Sequence, residues 1–244
     1  MRRRMITLLV LVLAAYLALC ALLFLRQRSM MYFPQAFDGG TVLALEGGAR
    51  VGVTVDEQPG PGAVLYFGGN AEAVGHSLPE LQQAFPGQSL YLMHYRGYGA
   101  TPGEPTEEGL FADALALYAH VRARHPQVTL VGRSLGSGIA TRLASMRAVD
   151  RLVLLTPYDS MASVASHHYR WLPVRWLLRD RYDSARYAPR VNAPTTILAA
   201  GRDQVIPLAS SEALSRSFRP GLATFHVVPD AGHNDISLSQ LPSP

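Results

Sequence analysis

The residues best able to do chemistry lie in Val128–Gly138, where a β-branched apolar run enters Gly132-Arg133-Ser134-Leu135-Gly136 and a helix-like segment leaves it. This is G-x-S-x-G in the strand–turn–helix setting that exposes a serine hydroxyl at the carboxyl end of a strand. Glycines on either side suit a turn in which a Cβ would strike the adjoining helix or strand. Ser134 is therefore the candidate nucleophile. A hydroxyl becomes nucleophilic when a base takes its proton, and the base needs a third group to hold its tautomer. Asp203 and His233 follow Ser134 in the order acid, then histidine. Each lies in a glycine-containing loop after a strand-like run, Gly201–Pro207 and Asp230–Asp235. Asp159, Asp230 and Asp235 are alternative acids. Among the eight histidines, His76, His120 and His125 read as surface residues, His167 and His168 fall in a long connection, and His226 lies within a strand.

An acyl-transfer intermediate needs two backbone N–H donors for its oxyanion. Leu135, the residue after the nucleophile, should supply one. The other should come from Gly68-Gly69-Asn70-Ala71, with Asn70 the favoured donor and Gly69 the alternative.

These loops need a frame that gathers them at one edge. Strand candidates run over Ala63–Phe67, Ser89–Tyr95, Thr129–Val131, Arg151–Thr156, Thr195–Ala200 and Thr224–Val228, with an antiparallel hairpin expected over Thr41–Val55. Apolar spacing near 3.6 predicts helices at Glu107–Arg124, Leu135–Met146 and Leu208–Phe218. Strands alternating with helices imply an α/β fold with a mostly parallel sheet covered on both faces. Sites in such sheets form at the carboxyl ends of the strands. The stretch Tyr158–Ala193 is longer than a plain connection and reads as a small cap over that edge, within an insertion at 157–193.

The 244 residues suit one domain preceded by an apolar segment. Met5–Leu25, interrupted only by Thr7, is roughly 21 residues long, enough to cross a bilayer as a helix. It continues past every candidate cleavage site, so residues 1–28 read as an uncleaved signal-anchor and 29–244 as the folded domain. Three arginines precede the run and two follow it, which by the positive-inside rule exports the domain. The basic pI near 9.4 does not mark a nucleic-acid binder. Past Arg28, 17 arginines meet 18 acids. Lysine is absent, which excludes a Ser–Lys dyad and Schiff-base chemistry. Cys20, the one cysteine, falls in the apolar run, so the domain carries no internal disulfide.

Taken together, the sequence resembles the α/β-hydrolase superfamily, and within it the single-pass subgroup of lysophospholipid lipases and protein depalmitoylases. The carriers are Met31–Pro34, Phe67–Glu72, Tyr95–Gly99, Pro102–Pro105, Gly132–Gly138, Trp171–Trp176, Gly201–Asp203 and Gly232–Asp235. The resemblance implies Ser134, Asp203 and His233 as the triad of a serine hydrolase that uses neither metal nor organic cofactor. Two positions depart from the family pattern. Gly68 stands where the oxyanion loop usually has histidine, and His94 stands where an acidic residue or asparagine often precedes Tyr-Arg-Gly-Tyr-Gly.

Such a triad serves esters, thioesters and amides alike. The anchor favours a lipid or other acyl-ester substrate at a membrane, as for a lysophospholipase or monoacylglycerol lipase. A protein acyl-thioesterase would need a cytoplasmic domain, while a peptidase or a non-catalytic binding module is weaker. In the cap, Trp171 and Trp176 lie among leucines and arginines, and could line an acyl groove or simply pack.

Overall fold

The computed structural model describes residues 1–36 and 39–242. In chain order the elements are α1 (Arg2–Met31), β1 (Thr41–Ala44), β2 (Arg50–Asp56), β3 (Gly62–Phe67), α2 (Leu78–Ala84), β4 (Ser89–His94), α3 (Glu107–Arg122), β5 (Gln127–Arg133), α4 (Leu135–Ala144) and β6 (Arg151–Leu155). The rest are α5 (Met161–His168), α6 (Val174–Leu177), α7 (Ser184–Tyr187), β7 (Thr195–Ala200), α8 (Leu208–Ser217) and β8 (Ala223–Val228).

Among the described residues, eight strands form one sheet in the order β1-β2-β4-β3-β5-β6-β7-β8. The pairs β1–β2 and β2–β4 are antiparallel, while β4–β3, β3–β5, β5–β6, β6–β7 and β7–β8 are parallel. The predicted α/β architecture is borne out, and its strand ends shift by only a residue or two.

The central strands β3 and β4 and the middle of β5 are buried on both faces, as their continuous apolar runs require. Period-two alternation divides their side chains between two cores. Leu65, Phe67, Leu130 and Leu154 join one face with α3 and α4. Val64, Tyr66, Val131 and Leu155 join the other with Leu81 of α2 and Leu238. Helix α3 starts where Thr106 Oγ1 accepts the Gly109 N–H at 3.0 Å. The site edge is therefore held rigidly from both sides.

The connection between β6 and β7 carries α5, α6 and α7. Helix α1 runs beyond the apolar segment at both ends, and is long and apolar enough to cross a membrane. It also lies against that connection. Tyr16 Oη donates to the Trp171 carbonyl at 2.9 Å, Gln27 Nε2 to the Leu177 carbonyl at 3.1 Å, and the Arg179 N–H to Gln27 Oε1 at 2.7 Å. Arg28 Nε pairs with the buried Asp180 carboxylate at 3.0 Å. Arg179 stacks over Phe24, 4.2 Å from the ring centroid.

Candidate active site

Strand β5 ends at Arg133, and Ser134 turns the chain into α4 with φ 47° and ψ −114°. A non-glycine residue there stores about 1–3 kcal/mol of strain. The surroundings maintain it. The Ser134 N–H donates to the Leu155 carbonyl at 2.9 Å, and the Ser134 carbonyl accepts Ser137 Oγ at 2.6 Å. A Cβ on Gly132 would stand 2.6 Å from the Gly136 carbonyl oxygen, and one on Gly136 would collide with the Phe67 backbone. Both glycines are thus required by close backbone approach.

The loops after β7 and β8 bring Asp203 and His233 to this turn. His233 Nε2 lies 3.0 Å from Ser134 Oγ, and His233 Nδ1 lies 2.7 Å from Asp203 Oδ2. The other Asp203 oxygen accepts the Val205 and Ile206 N–H groups, each at 2.8 Å. Its side chain is 2% exposed. A carboxylate so held can fix an Nδ1–H tautomer, leaving Nε2 free to accept the serine proton. The alternative acids are engaged elsewhere: Asp159 with Ser210, Asp230 with Arg202, and Asp235 with the Gly232 N–H.

The loop after β3 approaches from the opposite side. Among the described residues, no protein acceptor takes the N–H of Leu135 or of Asn70. The Gly69 N–H is different, because it donates to Glu72 Oε2 at 2.5 Å. Gly69 is therefore not an available donor, contrary to the expectation that it could replace Asn70. Glu72 also accepts Tyr66 Oη at 2.7 Å and Ser77 Oγ at 2.6 Å. Burial, reinforced by the Glu72 charge, keeps the Tyr66 phenol well above its ordinary pKa, so it remains a donor.

The position usually held by histidine is closed to a side chain. A Cβ on Gly68 would stand 2.5 Å from Val74 Cγ1 and 3.1 Å from the Glu72 carboxyl carbon. The Asn70 side chain braces the loop from outside. Its Oδ1 accepts Tyr98 Oη at 2.8 Å and the Phe33 N–H at 3.1 Å, while Nδ2 donates to the Met31 carbonyl at 2.5 Å. The end of α1 is thereby tied directly to the loop beside Ser134. His94 reaches Thr54 Oγ1 at 2.8 Å, away from the triad.

Two cavities meet at Ser134. One, of about 450 Å³, is lined almost wholly by apolar groups, including Leu19, Leu23 and Phe24 of α1 and Val164, Trp171 and Leu172 of the β6–β7 connection. The other, of about 740 Å³, is more polar and holds His233, Glu72, Glu80, Arg133 and Asp235. Trp171 lines the apolar cavity. Trp176 does not: it is 89% exposed on the four-residue helix α6 and lines neither cavity. So short a helix has no periodicity from which its buried face could be read. His125 also departs from its surface reading, being buried with Nε2 3.2 Å from Tyr91 Oη. Sequence reasoning missed Glu72, the Asn70 side chain and the α1 wall. The apolar stripe Leu19, Leu23, Phe24, Met30 offered a signal only against a run that is apolar all round.

Comparison with known proteins comes down to the same architecture. The family model described as α/β-hydrolase fold matches residues 62–188, more than half of the chain. An uncharacterized protein of Mycobacterium tuberculosis strain H37Rv is 36% identical over 234 residues, covering 87% of this chain and 82% of that protein. The lysophosphatidylserine lipase ABHD12 of Mus musculus is 32% identical over 186 residues, covering 64% of this chain and 46% of the lipase. Among solved structures, the Pyrococcus furiosus esterase Pf2001 superposes with a TM-score of 0.66 at 13% identity, covering 81% and 84% of the two chains.

Proposed function

The chain belongs to the α/β-hydrolase family, and from that premise we propose that it is a membrane-anchored serine hydrolase cleaving the acyl ester of a single-chain lipid. The observation that carries this reading is the meeting of an apolar and a polar cavity at Ser134, with His233 on the polar side. An ester placed across that junction lays its acyl chain in the apolar cavity and its alcohol beside the imidazole.

Ser134 Oγ attacks the carbonyl carbon as His233 Nε2 takes its proton. Asp203 stabilises the imidazolium and its orientation. The N–H groups of Leu135 and Asn70 receive the oxyanion. As the tetrahedral species collapses, His233 returns the proton to the departing alcohol. A water activated by the same nitrogen then releases the fatty acid and restores Ser134.

The polar cavity sets the alcohol. Among the described residues, three carboxylates line it, Glu72, Glu80 and Asp235, against the single guanidinium of Arg133, which lies 3.7 Å from Glu80. That balance favours an uncharged polyol over an anionic head group. The murine ABHD12 relative is a lysophosphatidylserine lipase, so this alcohol preference separates the chain from that enzyme. The arginine bias around α1 supports an exported domain.

The test is hydrolysis of monoacylglycerol and of lysophosphatidylserine with the same acyl chain by the full-length protein. Preference for monoacylglycerol, lost on Ser134→Ala, is expected. Equal or greater rates on lysophosphatidylserine refute the alcohol assignment. Hydrolysis that survives Ser134→Ala refutes the mechanism.

A further inference from the structure

We infer that α1 is part of the substrate site as well as an anchor, and that the acyl chain enters laterally from the bilayer through a portal between α1 and the β6–β7 connection. The inference rests on the ester-hydrolase reading for the identity of the ligand, and on separate geometry for the route.

Three observations carry it. First, the α1 residues at the apolar cavity, Leu19, Leu23, Phe24, Gln27 and Met30, recur at intervals that place them along one side of the helix. Ser134 and Leu135 lie at the same cavity. The wall of the site is thus made from the segment that is long and apolar enough to span a membrane.

Second, the C-terminal half of the helix is docked. Polar ties run from Tyr16 to Arg28, and Gln27 satisfies both the Leu177 carbonyl and the Arg179 N–H. At 1.5 Å per residue, Tyr16 lies about 14 Å along the helix from Leu25, the last residue of the apolar run. Half the hydrocarbon thickness of a bilayer is about 15 Å. With Met5–Leu25 spanning that thickness, the Trp171 end of the connection, bonded to Tyr16, reaches deep into one leaflet.

Third, the connection is dressed for that position. Tyr169 is 47% exposed and Trp171 57% exposed, and Trp176 projects almost fully. Arg170 and Arg175 are exposed next to the two tryptophans. Trp176 beside Arg175, level with Gln27 just past the apolar run, suits the head-group interface, while Tyr169 and Trp171 lie deeper in the leaflet. Trp176, which lines neither cavity, gains a role here as a lipid contact.

The occupant is one acyl chain, and the cavity of about 450 Å³ falls within the range of roughly 300–1,000 Å³ usual for small-molecule sites. A chain lying in the leaflet can pass between Leu23 and Trp171 without crossing water. Its ester would then arrive at Ser134 from the apolar side, leaving the alcohol in the polar cavity.

Two measurements on the full chain in phosphatidylcholine vesicles test this. Trp176→Phe leaves Trp171 as the only tryptophan, and its emission should be quenched by phosphatidylcholine brominated midway along the acyl chains. Unquenched Trp171 emission overturns the portal whatever the enzyme's activity. The second measurement compares kcat/KM on aryl palmitate and aryl butyrate. Leu19→Trp and Leu23→Trp should each lower the palmitate-to-butyrate ratio by about tenfold, the equivalent of losing roughly two methylene contacts. Leu22→Trp, on the exposed side of α1 at the same depth, should leave that ratio within about twofold. A ratio unmoved by Leu19→Trp and Leu23→Trp, with butyrate still hydrolysed, overturns the proposal. Failure of the unsubstituted protein on both esters overturns the hydrolase reading, while the quenching result still decides the portal.

Discussion

Replacing Gly68 by alanine should disable the oxyanion loop by crowding Val74 and Glu72 behind it. The new Cβ would stand 2.5 Å from Val74 Cγ1 and 3.1 Å from the Glu72 carboxyl carbon. Val74 is buried under the sheet with Tyr66 and Leu81, so it yields little. Overpacking of this kind costs about 1–3 kcal/mol, which for a domain of this size lowers Tm by about 2–12 °C. The more telling effect passes through Glu72. Its carboxylate holds the Gly69 N–H at 2.5 Å and thereby the path of the loop to Asn70. Complete loss of one oxyanion donor lowers kcat by about 10²–10³-fold. A donor displaced by a few tenths of an ångström should lose less, about 10- to 100-fold. The assay is a double-mutant cycle of Gly68→Ala and Val74→Ala, reading kcat on aryl butyrate together with Tm. Removing the Val74 methyls opens the space that the alanine needs, so the double variant should recover most of the kcat lost by Gly68→Ala, with a coupling energy above about 1 kcal/mol. Full kcat in Gly68→Ala, or strict additivity in the cycle, would refute the reasoning.

Other consequences concern the groups around the triad. Asp203→Asn should lower kcat by about 10⁴-fold, as the equivalent change does in serine proteases, by favouring the wrong imidazole tautomer; a loss below tenfold would remove Asp203 as the orienting acid. Tyr98, which holds Asn70 Oδ1, has its pKa pushed up by burial to about 12, as does Tyr91, where hydrogen bonding to Glu57 adds to burial. Because both folded values lie above the unfolded one, their contribution is fully present below about pH 10 and is lost as pH rises toward about 12. Thermal melts should therefore weaken across that alkaline window, and Tyr98→Phe should flatten part of the decline. Arg28→Met leaves the Asp180 carboxylate buried beside Tyr32 with its guanidinium partner gone. Arg28 is partly exposed, which reduces the loss from a fully buried pair to about 1–2 kcal/mol, measurable in Tm.

The sheet was legible because buried parallel strands are written as short apolar runs between glycine and proline turns, as in Ala63–Phe67 between Pro61-Gly62 and Gly68-Gly69. The hairpin showed in the alternation around Glu46-Gly47-Gly48 for the same local reason. Helix α2 was not seen, since its seven residues include a proline and two glutamines and offer too few turns for a period. Ser134, Asp203 and His233 could be named because each follows a strand in a loop with glycine beside it. What the sequence did not disclose is long-range. Nothing local says that Glu72 will take the Gly69 N–H, that Asn70 will hold the end of α1, or that one side of an apolar helix will wall the site. In that helix the usual contrast of polar and apolar faces is missing, so the docking side is marked only by Tyr16 within the run and by Gln27 and Arg28 near its end.

The proposed function requires Ser134 to be an activated nucleophile at the head of the apolar cavity. The most direct measurement is intact mass after treating the full-length protein with a long-chain fluorophosphonate, alongside Ser134→Ala. One adduct, mapped to Ser134, absent from the alanine variant and much slower to form in His233→Ala, is the predicted result. An unlabelled protein, or an adduct that persists in Ser134→Ala, would contradict it.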